Sequence, residues 1–196
     1  MALKLSEMIR IGYQGIEGSN SEEAARKIAK QLKLSEYELI PLVTSKTVID
    51  KLKRDEIDYG VVATKNSLGG TVQETYDAIK NESLELIAAH ILQIHQCLFV
   101  KPGTPAEAIA CIASHPQALL QTKNNRLKHY PNACEKEVED TAIAAKYLHE
   151  GKLPETAAVL CRRNAGEMYD LELAYENMED RSDNYTEFRM FKRGCL

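Results

Sequence analysis

An α/β fold of two lobes flanking a cleft is the architecture this sequence predicts. Strand-like and helix-like segments alternate along most of its 196 residues, and that order builds parallel or mixed sheets with helices on their faces. Short turns rich in glycine, hydroxyl and amide side chains precede several of the helices. The last stretch, Leu171 to Phe191, reads as extended and, coming last, is free to return to the first lobe.

Met8 to Tyr13 reads as a buried strand. A helix follows from about Glu22 to Lys33, its Ala24, Ala25, Ile28, Ala29 and Leu32 recurring at helical spacing. Tyr37 to Val43 is a second strand, Thr47 to Arg54 a short helix and Tyr59 to Thr64 a third strand, with a helix from Val72 to Lys80 and a strand region from Leu84 to Val100 completing the first half. The pattern then repeats in kind: helix from Pro105, strand Ala110 to Ala113, helix from Pro116, strand Cys134 to Val138, helix Thr141 to Glu150 and strand Ala157 to Leu160. The division expected is a first lobe of residues 1–97 plus 176–196 and a second of 98–175, joined by crossing strands. A cleft between such lobes is a common place for a small ligand.

A composition 44% hydrophobic supplies enough apolar surface for a substantial core. The net charge of -4 argues against a nucleic-acid or anionic-membrane partner, which would want a basic surface. Five cysteines, Cys97, Cys111, Cys134, Cys161 and Cys195, are odd in number and lack any Cys-x-x-Cys pair, so neither a disulfide framework nor a zinc site is expected. His90 and His95 stand an odd number of positions apart on an expected strand, pointing to opposite faces; core packing is the reading there, not metal ligation. Met1 to Arg10 carries Ser6 and Glu7 where a secretion signal needs an apolar run, and no run elsewhere is of membrane-spanning length. A cytoplasmic, unprocessed protein is expected, and the sequence leaves a homodimer open.

The helix starts carry the functional signal. Ser19 with Glu22, Thr71 with Glu74, Thr104 with Glu107 and Ser114 with Gln117 all fit the capping-box pattern. For Thr104, followed by Pro105, helix capping is the whole reading. The other three directly follow strands, where free backbone N–H groups and the positive end of the helix dipole suit an anion. The spacings that mark dinucleotide or nucleoside triphosphate binding are absent, so a compact carboxylic acid is the expected ligand, with structural capping as the competing explanation.

Ile11-Gly12-Tyr13-Gln14-Gly15 with Gly18-Ser19-Asn20-Ser21, then Tyr59-Gly60-Val61-Val62 with Asn66-Ser67 and Gly70-Thr71-Val72, resemble the opening motifs of the prephenate dehydratase family. Ser114-His115-Pro116-Gln117-Ala118-Leu119 resembles its most distinctive internal motif, and Asn184-x-Thr186-x-Phe188 its C-terminal catalytic motif, all in the family's order. The resemblance implies a two-lobed fold similar to type II periplasmic binding proteins. It also implies a lyase of L-phenylalanine biosynthesis that turns prephenate, a small dicarboxylate, into phenylpyruvate by losing water and carbon dioxide. Aromatisation drives that reaction, so the resemblance implies no cofactor and no metal.

By the same resemblance Thr186 is the catalytic hydrogen-bond donor to the leaving hydroxyl. Asn66, Ser67, Ser114, His115, Gln117, the backbone around Ala118, and Phe188 form the substrate site. Ser19, Ser21 and Thr141 are lesser candidates with helix capping as the alternative role, and His115 has a structural alternative as well.

Two residues depart from the family pattern. Lys65 stands where members carry glutamate, and Glu187 where they carry arginine. Reversal at both positions would preserve a salt bridge if the side chains meet, with Thr186 and Phe188 on one strand face and Glu187 on the other. The alternatives to the dehydratase are a decarboxylase that leaves prephenate non-aromatic and a non-catalytic protein that binds or senses a small carboxylate. The chain stops soon after the C-terminal motif, where many members continue into an ACT domain that binds phenylalanine; no feedback by that route is expected.

Overall fold

The structure, a computed structural model, describes residues 8–194. The readings of Met1 to Glu7 and of Cys195 fall outside the described residues. From the N-terminal side come β1 (Ile9–Tyr13), α1 (Asn20–Gln31), β2 (Tyr37–Pro41), α2 (Ser45–Lys53), β3 (Tyr59–Asn66), β4 (Gly70–Thr71), α3 (Gln73–Ile79) and β5 (Leu84–Gln93). The chain continues through β6 (Cys97–Val100), β7 (Cys111–Ser114), α4 (Pro116–Gln121), α5 (Lys123–His129), β8 (Cys134–Glu137), α6 (Thr141–His149), β9 (Ala157–Cys161), α7 (Arg163–Met168), β10 (Glu172–Tyr175) and β11 (Tyr185–Arg193).

These strands form two sheets. The first runs β2-β1-β3-β11-β5 with β4 paired to β3, and the second runs β10-β6-β9-β7-β8. In the first, β1 is parallel to β2 and β3, whereas the late strand β11 enters antiparallel between β3 and β5. Its buried face joins Phe188 and Met190 to Ile11, Tyr13, Val61 and the apolar stripe of α1. In the second, β9 is buried throughout as Ala-Ala-Val-Leu-Cys and packs between β6 and β7. The two sheets have separate apolar cores, with Ile16 of the β1–α1 loop packed on the second.

Three expected elements are redrawn. The strand expected from Leu84 to Val100 is two strands in different sheets, because Ile94 to Gln96 takes its partners from the returning segment: the Ile94 N–H bonds Asn184 O at 2.8 Å and the Gln96 N–H the Glu179 carboxylate at 2.9 Å. No glycine or proline marks that crossing. The extended stretch from Leu171 likewise divides into β10 and β11, one in each sheet. The helix expected from Pro105 is a single 3₁₀ turn, Ala106–Ala108; the Thr104 hydroxyl donates to Glu155 O and caps nothing.

Candidate active site

The two sheets face each other across a cleft of about 420 Å³. The starts of α1, α2, α3, α4 and α6 all reach its lining, through Asn20, Thr44, Val72, His115 and Asp140 among others. At α1, Ser19 accepts from Glu22 N, while the Glu22 carboxylate accepts from Gly18 N at 2.6 Å, a box closed one residue early. At α4 the cap is His115, whose Nδ1 accepts from Gln117 N at 3.2 Å. Asp140 caps α6, accepting from Ala142 N and Ile143 N; burial raises its pKa, opposed by those two N–H groups and by His115. Thr71 caps nothing: α3 begins at Val72 without a side-chain cap, and Glu74 accepts instead from Ser45 N at the start of α2.

Two glycines let the walls approach. A Cβ on Gly15, whose φ is +94°, would meet Ser19 Oγ at 2.9 Å and Asp140 Oδ2 at 3.6 Å. One on Gly69 would meet Gln117 Nε2 at 2.9 Å, across from the β3–β4 turn. At Gly15 the positive φ itself favours glycine, and at Gly69 an added side chain would displace the Gln117 amide. Arg162 pairs with Glu23 between α1 and the end of β9, and burial lowers the Arg162 pKa.

On the first wall a bulge sets the geometry. Glu187 pairs with Lys65 and Phe188 with Ala63, so Thr64 is the extra residue of β3, and its hydroxyl donates to Glu187 O at 3.2 Å. Ala63 and Asn66 are three apart and would face opposite ways on a regular strand; the bulge turns both toward the cleft. Thr186, 8% exposed, and Phe188 line the cleft beside them.

A hydrogen-bond chain fixes Thr186. Asn66 Nδ2 donates to Thr186 Oγ1 at 3.0 Å and to Asn184 Oδ1 at 2.8 Å, and Asn184 Nδ2 donates to Gln121 Oε1 at 2.8 Å. Asn66 Oδ1 accepts from Leu68 N and Gly69 N, which fixes the amide's orientation. Thr186 Oγ1 therefore accepts from Asn66, which also reaches Tyr185 O at 3.1 Å, and its own proton is left unassigned by these bonds.

Ser19, Ser21, Asn66, His115, Gln117, Ala118, Thr141, Thr186 and Phe188 all line the cleft. Ser114 and Ser67 do not. Ser114 is fully buried and donates to Leu160 O at 2.6 Å, tying β7 to β9; Ser67 donates to Asp183 O and accepts from Tyr185 N, holding the entry to β11. Lys65 and Glu187 are opposite in register, yet the Glu187 carboxylate takes Arg189 Nε at 2.5 Å, and neither Lys65 nor Glu187 lines the cleft. The ion pair formed is thus within β11, where residues two apart share a face.

Sequence reasoning missed Gln14, Glu74, Gln96 and Gln121 as cleft residues. The first two bear the only signals, Gln14 lying in the opening motif and Glu74 in a capping pattern. His95, expected in the core, is exposed and bonds Glu179 at 2.8 Å. Among the described residues no group of three or more His, Cys, Asp or Glu could hold a metal ion, and no helix is long and apolar enough to cross a membrane.

Arogenate dehydratase 5, chloroplastic, of Arabidopsis thaliana is 34% identical over 185 residues, which cover 94% of this chain and 42% of that protein; the chain thus spans less than half the length of this relative. The crystal structure of prephenate dehydratase in complex with L-Phe from Arthrobacter aurescens superposes with a TM-score of 0.85 at 26% identity, over 96% of this chain and 61% of that one. A periplasmic substrate-binding protein of an ABC transporter from Coxiella burnetii matches with a TM-score of 0.55 at 15% identity, over 95% of this chain and 84% of that one, a likeness of fold alone. A model of the prephenate dehydratase domain matches residues 11–195, and with that match the chain belongs to the prephenate dehydratase family.

Proposed function

We propose that this chain is a dehydratase acting on a cyclohexadienol dicarboxylate, prephenate or its amino counterpart arogenate. The ring carboxylate leaves as carbon dioxide, its bonding pair moves into the ring, and the ring hydroxyl leaves on the opposite carbon. With one proton the departing hydroxide becomes water, and the ring becomes aromatic. Prephenate would give phenylpyruvate and arogenate phenylalanine.

The observation that carries this reading is the state of Thr186. Its oxygen already accepts from Asn66 and the residue lines the cleft, so its proton can be donated to the leaving hydroxyl. Oriented donation of this kind contributes typically 10²–10⁴-fold. Carboxylates would be held by the uncapped N–H groups of Asn20 and Ser21 at the start of α1, by the Thr141 N–H at α6 and by the side-chain amide of Gln117. Lys65 and Glu187, outside the lining, leave the donor untouched.

Ser114 and Ser67 act in this reading as structural ties and not as substrate ligands. The lobe division of 1–97 with 176–196 against 98–175 would let the chain crossings at Ile94 to Gln96 and at Asn177 to Asp183 work as the hinge. Incubating the pure protein with prephenate and with arogenate, and identifying products by mass and ultraviolet absorbance, tests the function. Phenylpyruvate or phenylalanine is expected. A hydroxylated, non-aromatic product or binding without turnover would overturn it.

A further inference from the structure

The cleft's charges are one-sided. Glu74, Glu139 and Asp140 line it, yet among the described residues its lining holds no lysine or arginine, and His115 is the one basic side chain there. A keto dicarboxylate offers such a lining two negative groups. A substrate that also carries an ammonium suits it better.

Gln96 gives this preference a specific contact. It sits where the chain crosses from β5 to β6, its backbone fixed by Glu179 on the N–H and by the Met178 N–H on the carbonyl. Its side chain lines the cleft, the residue is 3% exposed, and its Oε1 is buried with no hydrogen-bond partner. A buried orphan acceptor in a native fold calls for an explanation. What it lacks is a donor, and a turn of the amide that brings the oxygen to the cleft would let a ligand supply one.

Apart from the ring hydroxyl, prephenate presents only acceptors: two carboxylates and a keto oxygen. Arogenate replaces the keto oxygen with an ammonium bearing three N–H donors. The terminal torsion of a glutamine amide is broad, so the oxygen can turn to meet it.

We propose that Gln96 is a specificity-determining residue whose amide oxygen accepts a hydrogen bond from the substrate's ammonium, so that the cleft selects arogenate over prephenate. This rests on the dehydratase reading and adds to it the choice of substrate.

The test compares kcat/KM for the two substrates in the wild type, Gln96→Leu and Gln96→Glu. The wild type should favour arogenate by at least about 10-fold, the scale of one hydrogen bond to a charged group. Gln96→Leu should lower the arogenate value by about 10- to 100-fold and leave prephenate within about 3-fold. Gln96→Glu keeps an acceptor and adds a charge, so it should retain arogenate and depress prephenate, raising the ratio. Equal losses for both substrates in Gln96→Leu, or a wild type indifferent between them, would overturn the proposal. Should Gln96→Leu not fold, the ratio in Gln96→Glu decides alone, an unchanged ratio counting against it.

Failure of the dehydratase reading is separately visible as a wild type that turns over neither substrate. Calorimetric binding of phenylalanine and phenylpyruvate, which differ by the same amino-for-keto exchange, then still decides. Tighter phenylalanine binding that Gln96→Leu weakens sustains the assignment; equal affinities overturn it.

Discussion

The two walls of the cleft use the same kinds of residue for different ends. On the wall from the first sheet, amide and hydroxyl side chains are linked from Asn184 through Asn66 to Thr186, anchored across the cleft on Gln121 of α4, and the chain ends on a hydroxyl that lines the cleft. On the wall from the second sheet the polar side chains cap helices or tie strands: His115 caps α4, Asp140 caps α6 and Ser114 closes on Leu160 O. The first wall presents the Thr186 hydroxyl, the second the Gln117 amide beside two capped helix starts. The sharpest way to break that contrast is to remove the donor. Thr186→Val keeps the shape and should lower kcat by about 10²–10⁴-fold, whereas Thr186→Ser, which keeps the hydroxyl, should stay within about 10-fold. Steady-state rates on the preferred substrate decide, and equal losses in both variants would remove Thr186 from the chemistry.

Next in size is the junction of the chain. Asn184 is fully buried, and both ends of its amide are engaged. Asn184→Ala strands the Gln121 oxygen and loosens Asn66, and each buried polar group left unpaired costs about 1–3 kcal/mol. A loss of about 2–4 kcal/mol is expected as a lower urea midpoint with unchanged slope. Activity should fall as well, because Asn66 then no longer holds Thr186 in one orientation. A variant of wild-type stability would show that the network is slack.

Ser114→Ala probes the other wall. The serine belongs to the most family-like motif in the chain, and from sequence it reads as a substrate ligand. The structure spends its hydroxyl inside the sheet, so the variant should lose about 1 kcal/mol of stability and keep its KM. A raised KM with unchanged stability would return Ser114 to the substrate.

The contrast also explains what could be read from sequence. Alternation of strands and helices is a local signal, and so is the cap at Ser19; local signals located most elements and the helix starts that meet in the cleft, although the cap expected of Ser114 falls to His115. The rest depended on partners far along the chain. Glu74 reads locally as the partner of Thr71, yet its carboxylate belongs to Ser45, 29 residues away. Gln96 and Gln121 carry no motif, and their roles come from segments at residues 178–184 that fold back over the crossing. The break between β5 and β6 was hidden for the same reason: no glycine or proline interrupts the stretch, and only the change of hydrogen-bond partners moves it to the other sheet.

The smallest expected effect concerns the two reversed charges, where register and side-chain contact give different answers. Lys65 and Glu187 are directly opposite on β3 and β11, and cross-strand pairs of opposite charge contribute roughly 0.2–1 kcal/mol. The Glu187 carboxylate is nevertheless committed to Arg189 on its own strand, with side chains 24% and 40% exposed, a setting in which ion pairs also amount to about 0–1 kcal/mol. One carboxylate serves one guanidinium fork well, and Lys65 is exposed, free to keep its hydration. Double-mutant cycles should therefore find a coupling of a few tenths of a kcal/mol between Glu187 and Arg189, and less than that between Glu187 and Lys65. A Lys65–Glu187 coupling above about 1 kcal/mol would reverse the assignment. It would also mean that a charge pair beside the bulge at Thr64 helps aim Thr186, and the first wall would then depend on charge as well as on amides.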